Sequence, residues 1–378
     1  MFKPFTLRMP DHKLPAPPYW LKQKQSFHLD EFHTCSGEKI IDLNIGYECY
    51  GRLNDKRDNA ILICHYFSGS SNAAGKYSLE DAEPGYWDLI IGPGKAIDTD
   101  RFFVLAVDTL CNLNIGDPRV ISTGPTSLNP QTQKPYGMSF PLIDIKDFVE
   151  IQKAVAGFLK IEKFHAVAGP SLGAMQVMQW AASYPEMLER AIPVIGCGFH
   201  SPAYLNGIVD FWCAPILLDS NWNAGNYYAN FFPAEGLKQA LRMVTLNSLS
   251  PDWARSSSVR DIESSNKSFA SKSELQTGLD EIASERMKFM DPNHFLYIVK
   301  AVQNFSVMNS IARMKSKFLF ISAQSDLLML PKYSEVAVYE LRARGLKAEY
   351  FEIEGQGGHL DGIFAIDRAD KVIRDFLQ

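Results

Sequence analysis

A chain of 378 residues, 46% of them hydrophobic, can bury a large core as one elaborated domain or as two. Its formal net charge is −5 and its lysines and arginines are scattered. That balance gives no electrostatic footing for nucleic acid or for an anionic membrane surface. The opening Met1-Phe2-Lys3-Pro4-Phe5-Thr6 lacks a signal-peptide apolar region, and no apolar stretch is long enough to span a bilayer. Cys35, Cys49, Cys64, Cys111, Cys197 and Cys213 form no Cys-x-x-Cys pair. Reduced thiols in a soluble, cytoplasmic protein are the simplest account.

In chain order, residues 1–58 suit an opening of antiparallel strands, clearest over 40–50. Ala60-Ile61-Leu62-Ile63-Cys64 reads as a continuous apolar strand, followed by the loop His65-Tyr66-Phe67-Ser68-Gly69-Ser70-Ser71. Gly92-Pro93-Gly94-Lys95 lacks the spacing and the following Ser/Thr of a phosphate-binding loop. Further strands are predicted at 102–107, 164–168, 190–196, 317–322 and 348–353, with helices between most of them. One helix is placed over 144–160, where Ile145, Phe148, Val149, Gln152, Val155 and Leu159 trace a largely apolar face. This alternation predicts an α/β fold, a mostly parallel sheet with helices on both faces.

The region from about 200 to 310 breaks the pattern. It has no convincing strand, many aromatic residues (Phe211, Trp212, Trp222, Tyr227, Tyr228, Phe231, Phe232) and a polar Ser/Lys/Glu stretch at 256–284. The expected organisation is a core in two parts, 1–199 and 311–378, interrupted by a helical lid insertion at 200–310. The lid aromatics are expected mainly as lid core. No histidine or cysteine cluster has metal-ligand spacing, so neither a metal nor a cofactor is expected.

Gly169-Pro170-Ser171-Leu172-Gly173 carries the chemistry. It joins the strand-like Phe164-His165-Ala166-Val167-Ala168 to a helical run beginning at Ala174. A serine between two glycines at a strand-to-helix turn is the nucleophile elbow of the α/β-hydrolase fold. The turn strains the serine backbone, and glycine on either side removes a collision. Such a serine needs a histidine to take its proton and a carboxylate to orient that histidine, in the chain order Ser, Asp/Glu, His. Among eight histidines, His359 alone sits in a loop after the last core strand, in Gly355-Gln356-Gly357-Gly358-His359. Asp326 ends the turn after the strand at 317–322, with a helix over 331–345 and one further strand separating it from His359. Ser171, Asp326 and His359 are therefore the expected triad. The backbone N–H groups of Leu172 and Phe67 are the expected oxyanion hole, and His65 is expected to brace its loop.

The triad implies acyl transfer but leaves the acceptor open. Several blocks resemble the homoserine O-acetyltransferase family of methionine biosynthesis. They include Tyr47-Glu48-Cys49-Tyr50-Gly51-Arg52-Leu53-Asn54, Gly92-Pro93-Gly94-Lys95-Ala96-Ile97-Asp98-Thr99-Asp100, Ser122-Thr123-Gly124-Pro125 and Asp291-Pro292-Asn293. The resemblance implies a ping-pong reaction in which acetyl-CoA, as co-substrate, acylates Ser171 and the hydroxyl of L-homoserine then takes the acetyl group. It implies that Arg242, in Leu241-Arg242-Met243-Val244, holds the substrate carboxylate, and that the chain pairs as a homodimer through the lid. Family members place an aspartate directly after the catalytic histidine, near the substrate amino group. Here Leu360 intervenes, and Asp361 is the candidate for that contact. Asn112-Leu113-Asn114-Ile115-Gly116-Asp117 replaces the glycine-rich piece expected before Ser122. Another acceptor or donor, such as L-serine or succinyl-CoA, or a serine esterase of the same fold, is the alternative.

Overall fold

The computed structural model describes residues 21–229, 231–257 and 272–378. Ten strands occur among them: β1 (Gln25–His33), β2 (Lys39–Tyr50), β3 (Ala60–Cys64), β4 (Ile91–Gly92), β5 (Ile97–Asp98), β6 (Phe103–Val107), β7 (Phe164–Pro170), β8 (Leu188–Val194), β9 (Lys317–Ala323) and β10 (Ala348–Ile353). Eight form one sheet in the order β1-β2-β6-β3-β7-β8-β9-β10, and β4 and β5 pair apart. From β6 to β10 every pairing is parallel, while β1–β2 and β2–β6 are antiparallel. The expected antiparallel opening is thus present from Gln25 onward; residues 1–20 lie outside the described residues.

The apolar strand runs follow from burial on both faces. Along β3, Ala60, Leu62 and Cys64 enter one core cluster, whereas Ile61 and Ile63 enter the other. β6 divides the same way, with Phe103, Leu105 and Val107 opposite Val104 and Ala106. Successive side chains point to opposite faces, so a strand covered on both sides favours apolar residues at every position. Each fully buried Leu or Ile contributes about 1.5–3 kcal/mol by leaving water. β8 stops at Val194, two residues short of the predicted end, because Ile195 turns to φ 44° and leaves the extended region.

The helices are α1 (Ile145–Phe158), α2 (Leu172–Ser183), α3 (Ala203–Leu218), α4 (Ala234–Asn247), α5 (Pro251–Ser257), α6 (Glu274–Arg286), α7 (Pro292–Asn304), α8 (Pro331–Ala343), α9 (Asp361–Phe364) and α10 (Asp370–Phe376). Asp147 in the first turn of α1 accepts from the Asp144 N–H at 2.8 Å, which fixes the predicted helix start. Helices α3 to α7 fall within the 200–310 segment, where α3 packs on α4 and α7, and α4 on α6. The two ends of this segment meet at a bridge between His200 and Ser306, so the lid leaves the core and returns at one place. Much of the polar 256–284 stretch, residues 258–271, lies outside the described residues. No described helix is long and apolar enough to cross a membrane, and all six cysteines are free thiols.

A buried ion cluster pins the antiparallel opening to the parallel core. Glu48, on β2, is fully buried and pairs with Lys22 at 2.9 Å and Lys24 at 3.1 Å. Lys24 also pairs with Asp108 at 3.0 Å, immediately after β6. Burial pushes the Glu48 carboxyl up, but Lys24 and Lys22 outweigh it and hold the group below the usual carboxylate range. The same burial pulls the Lys22 ammonium down against the attraction of Glu48. A carboxyl lowered in the folded state stabilises it at neutral pH, and that contribution disappears as pH falls through the folded value. Glu48→Gln leaves the buried Lys22 without its carboxylate partner, while Lys24 keeps Asp108, and is expected to cost about 3–5 kcal/mol. A urea midpoint unchanged by Glu48→Gln at pH 7 would contradict this account.

Candidate active site

The elbow is built by close approach. Ser171 stands at φ 58° and ψ −116°, between the end of β7 and the start of α2. A Cβ on Gly169 would lie 2.5 Å from the carbonyl oxygen of Cys64, and one on Gly173 would lie 2.1 Å from it. Neither position admits a side chain unless β3 moves away, which is the collision expected from the motif. The strained serine is held by its N–H donating to Val194 O at 2.9 Å and by its carbonyl accepting from Ala174 N–H at 2.8 Å.

The triad is assembled. His359 Nε2 lies 2.8 Å from Ser171 Oγ, and His359 Nδ1 lies 2.6 Å from Asp326 Oδ2. All three residues are buried. The other Asp326 oxygen accepts from the N–H groups of Leu328 at 2.8 Å and Met329 at 3.0 Å, so the carboxylate is held in place. Its acceptor oxygen orients the Nδ1–H tautomer and leaves Nε2 free to take the serine proton. Gly358 has φ 70°, and a Cβ there would meet the backbone N of Ser250 at 2.7 Å. The base loop therefore packs tightly on the lid.

Phe67 and Leu172 line one cavity with Ser171 and His359, as the oxyanion assignment requires. Neither backbone N–H is engaged by another protein group among the described residues. The loop that carries Phe67 is braced from beneath. His65 Nδ1 faces Tyr66 O at 2.8 Å, and its Nε2 accepts from Thr109 N–H at 3.1 Å. Burial pulls the His65 pKa down, in keeping with a neutral ring. Asn112 donates to Gly69 O at 3.1 Å and Asn114 donates to Ser68 O at 3.0 Å. The asparagines that replace the expected glycine-rich piece thus hold the oxyanion loop in place.

The cavity has a volume of about 470 Å³. Leu205, Val209 and Trp212 from α3, Leu328, Met329 and Leu360 make it largely apolar. Phe67 packs edge-on to Trp212 and Phe295, at centroid distances of 5.7 and 5.2 Å. Of the other lid aromatics, Phe289 also lines the cavity, Phe211 and Phe231 are exposed, and Tyr227 and Trp222 serve the lid itself. Tyr227 donates to Asp291 at 2.6 Å and Trp222 to Asn293 at 2.9 Å, which gives the Asp291-Pro292-Asn293 block a structural role.

Two expected substrate-binding residues do not reach this cavity. Arg242 faces α6 instead, where it pairs with Asp280 at 2.9 Å, and it donates to Gln239 of its own helix at 2.6 Å. Asp361 lies against Gly355 and Gly357 and accepts from Gly357 N–H at 2.9 Å. Burial, with Asp326 nearby, pushes its carboxyl up despite that bond. Arg286, which the motif reading missed, does line the cavity. A signal existed: Leu279, Ala283 and Arg286 share one face of α6, and the first two are buried. Among the described residues no group of three or more His, Cys, Asp or Glu is arranged to hold a metal.

The chain matches no family model. A homoserine O-acetyltransferase of Methanohalobium evestigatum is 36% identical over 351 residues, covering 90% of this chain and 70% of the relative. The chain belongs to the homoserine O-acetyltransferase family. The solved homoserine O-acetyltransferase of Bacillus anthracis is 35% identical, with a TM-score of 0.91, over 95% of this chain and 98% of its own. Esterase E22 is 44% identical, also with a TM-score of 0.91, over 95% of this chain and all of its own. The fold is that of the α/β-hydrolases. The family's Gly92–Lys95 block is structural here: Lys95 pairs with Asp88 at 3.1 Å, and Ala96 N–H donates to Asp370 at 3.1 Å.

Ser171→Ala is expected to abolish acyl transfer and leave the far-ultraviolet circular dichroism unchanged; measurable turnover by purified variant would remove Ser171 from the nucleophile's role. Arg242→Ala should cost at most about 1 kcal/mol, as a partly exposed ion pair does. It should shift KM for any acceptor less than about threefold, because direct charged hydrogen bonds to a ligand are worth more than that. Steady-state kinetics on that variant would expose a larger role for Arg242 as a KM increase of tenfold or more.

Proposed function

We propose that the chain transfers an acetyl group from acetyl-CoA to the γ-hydroxyl of L-homoserine through an acyl-Ser171 intermediate. The observation that carries this reading is the complete Ser171–His359–Asp326 relay beside two unengaged N–H groups, in a member of this family. Ser171 Oγ attacks the thioester carbonyl as His359 Nε2 takes its proton. The developing oxyanion is met by the N–H groups of Phe67 and Leu172. Collapse breaks the C–S bond, and His359 returns the proton to the departing thiolate, which leaves as the thiol. The acceptor hydroxyl then repeats the sequence in reverse, losing its proton to His359 while Ser171 Oγ leaves with one. Thioester and ester lie close in energy, so exclusion of water decides the outcome, and the apolar cavity under the lid favours transfer.

A second reading, with water as acceptor, is favoured by a specific observation. Leu360 lines the cavity next to His359, Asp361 is turned away, and Lys288 holds the nearby Glu285 at 2.6 and 2.7 Å. Among the described cavity residues a substrate ammonium therefore finds one carboxylate, Glu285, which is exposed and paired with Lys288. The relative of 44% identity bears the name esterase.

One assay separates the two: thiol release from acetyl-CoA by purified protein, with and without L-homoserine, in parent and Leu360→Asp chains. Homoserine-dependent release with O-acetylhomoserine as product is the expected result. Equal release with and without homoserine would establish water as the acceptor. Leu360→Asp should then raise the ratio of transfer to hydrolysis by placing a carboxylate at the cavity wall.

A further inference from the structure

Arg286 is the cation in the catalytic cavity, and the relay does not use it. It ends α6, and its guanidinium donates to the hydroxyl of Ser68, the residue after the oxyanion donor Phe67. Its other hydrogen-bond partner is the Thr245 hydroxyl, at 3.5 Å. Among the described residues it has no carboxylate partner, whereas Arg242 and Arg190 each have one, at 2.9 and 2.6 Å. Glu285 shares the cavity but is held by Lys288. Desolvation pulls the Arg286 pKa down, with the Tyr66 phenol as its only opposing influence.

A guanidinium in a largely apolar cavity, held only by hydroxyls, carries an unbalanced desolvation cost. Two hydroxyls also leave much of its five-donor fork unused. Planar forked donors match carboxylate geometry, and such a pair is strongest where water is excluded.

We propose that Arg286 anchors a carboxylate of the substrate inside the catalytic cavity, and so selects acyl acceptors or esters that bear one. This inference rests on the reading of the cavity as the acyl-transfer site. It concerns a residue other than Arg242, and it holds for either acceptor.

The test is calorimetric titration of Ser171→Ala protein with sodium butanoate and with butanamide, which differ in charge and little in size. Butanoate is expected to bind at least tenfold more tightly. Adding Arg286→Met should reduce that preference on the order of 10- to 100-fold, the range for a charged hydrogen bond. Arg286→Lys, which keeps the charge and loses the fork, should reduce it severalfold and serves if the methionine variant fails to fold. Equal binding of the two probes, or a preference that survives both substitutions, would overturn the proposal. Tighter binding of inorganic phosphate than of butanoate would overturn the carboxylate assignment. Failure of the acyl-transfer reading is distinguishable, since it shows as turnover retained by Ser171→Ala rather than as a lost charge preference.

Discussion

The contact on which the site depends is between the Cys64 carbonyl, at the end of β3, and two glycines of the neighbouring elbow. Only hydrogen at the Gly169 and Gly173 side-chain positions lets β7 turn into α2 this close to β3. The proximity has a second effect. The chain leaving Cys64 becomes the oxyanion loop, so the crowding that forms the elbow also delivers Phe67 to the serine's cavity. Gln176, one turn into α2, donates to the His65 carbonyl at 3.3 Å and ties loop to helix. Ser171 at φ 58° carries about 1–3 kcal/mol of backbone strain, and persists because these neighbours leave it no relaxed alternative.

The acid and base arrive from the other side of the sheet centre, on loops after β9 and β10. Asp326 is fixed by its own turn through two N–H donors, and it fixes the imidazole. The base loop is fixed differently. Gly358 lies against the backbone of Ser248, Leu249 and Ser250, and Ser250 donates its hydroxyl to Gln356 O. The loop carrying His359 is therefore packed against the segment that joins α4 to α5 in the lid. A lid displaced at that segment would disturb the base, which links cover over the cavity to alignment of the relay. The buried cluster of Glu48, Lys22, Lys24 and Asp108 plays the matching part on the oxyanion side, since Asp108 also accepts from Ser71 N–H at 2.7 Å.

Most of the sheet was legible in the sequence because β3, β6, β7, β8 and β9 are covered on both faces and read as largely apolar runs, unbroken in β3 and β6. The triad was legible because strand order in this fold places Ser171, Asp326 and His359 at strand ends in a fixed chain order. The lid was less legible for a physical reason. Which arginine faces the cavity depends on how α4 and α6 rotate against each other, and Asp280 decides that by drawing Arg242 into the helix interface. The arginine that faces the cavity looks in sequence like a solvated helix end, Glu285-Arg286-Met287-Lys288. Only its register with Leu279 and Ala283 betrays it. Asn112 and Asn114 were visible as departures from a glycine-rich segment, but their work needs Ser68 and Gly69, more than 40 residues earlier.

The charge pattern of the cavity is the remaining constraint on what the acyl-enzyme can meet. An amino-acid acceptor brings a carboxylate and an ammonium into a largely apolar space, and each must exchange water for a protein partner. Arg286 stands ready for the first. For the second, the carboxylate nearest in sequence, Asp361, is withdrawn beneath Gly355 and Gly357, and Leu360 occupies the wall. An uncompensated ammonium would weaken acceptor binding while leaving acylation of Ser171 untouched, because the thioester step needs only the relay and the oxyanion donors. The acyl-enzyme's lifetime then depends on how well Leu360, Trp212 and Met329 exclude water. Partition between transfer and hydrolysis is thus set by side chains outside the triad, and identical relays can serve either outcome.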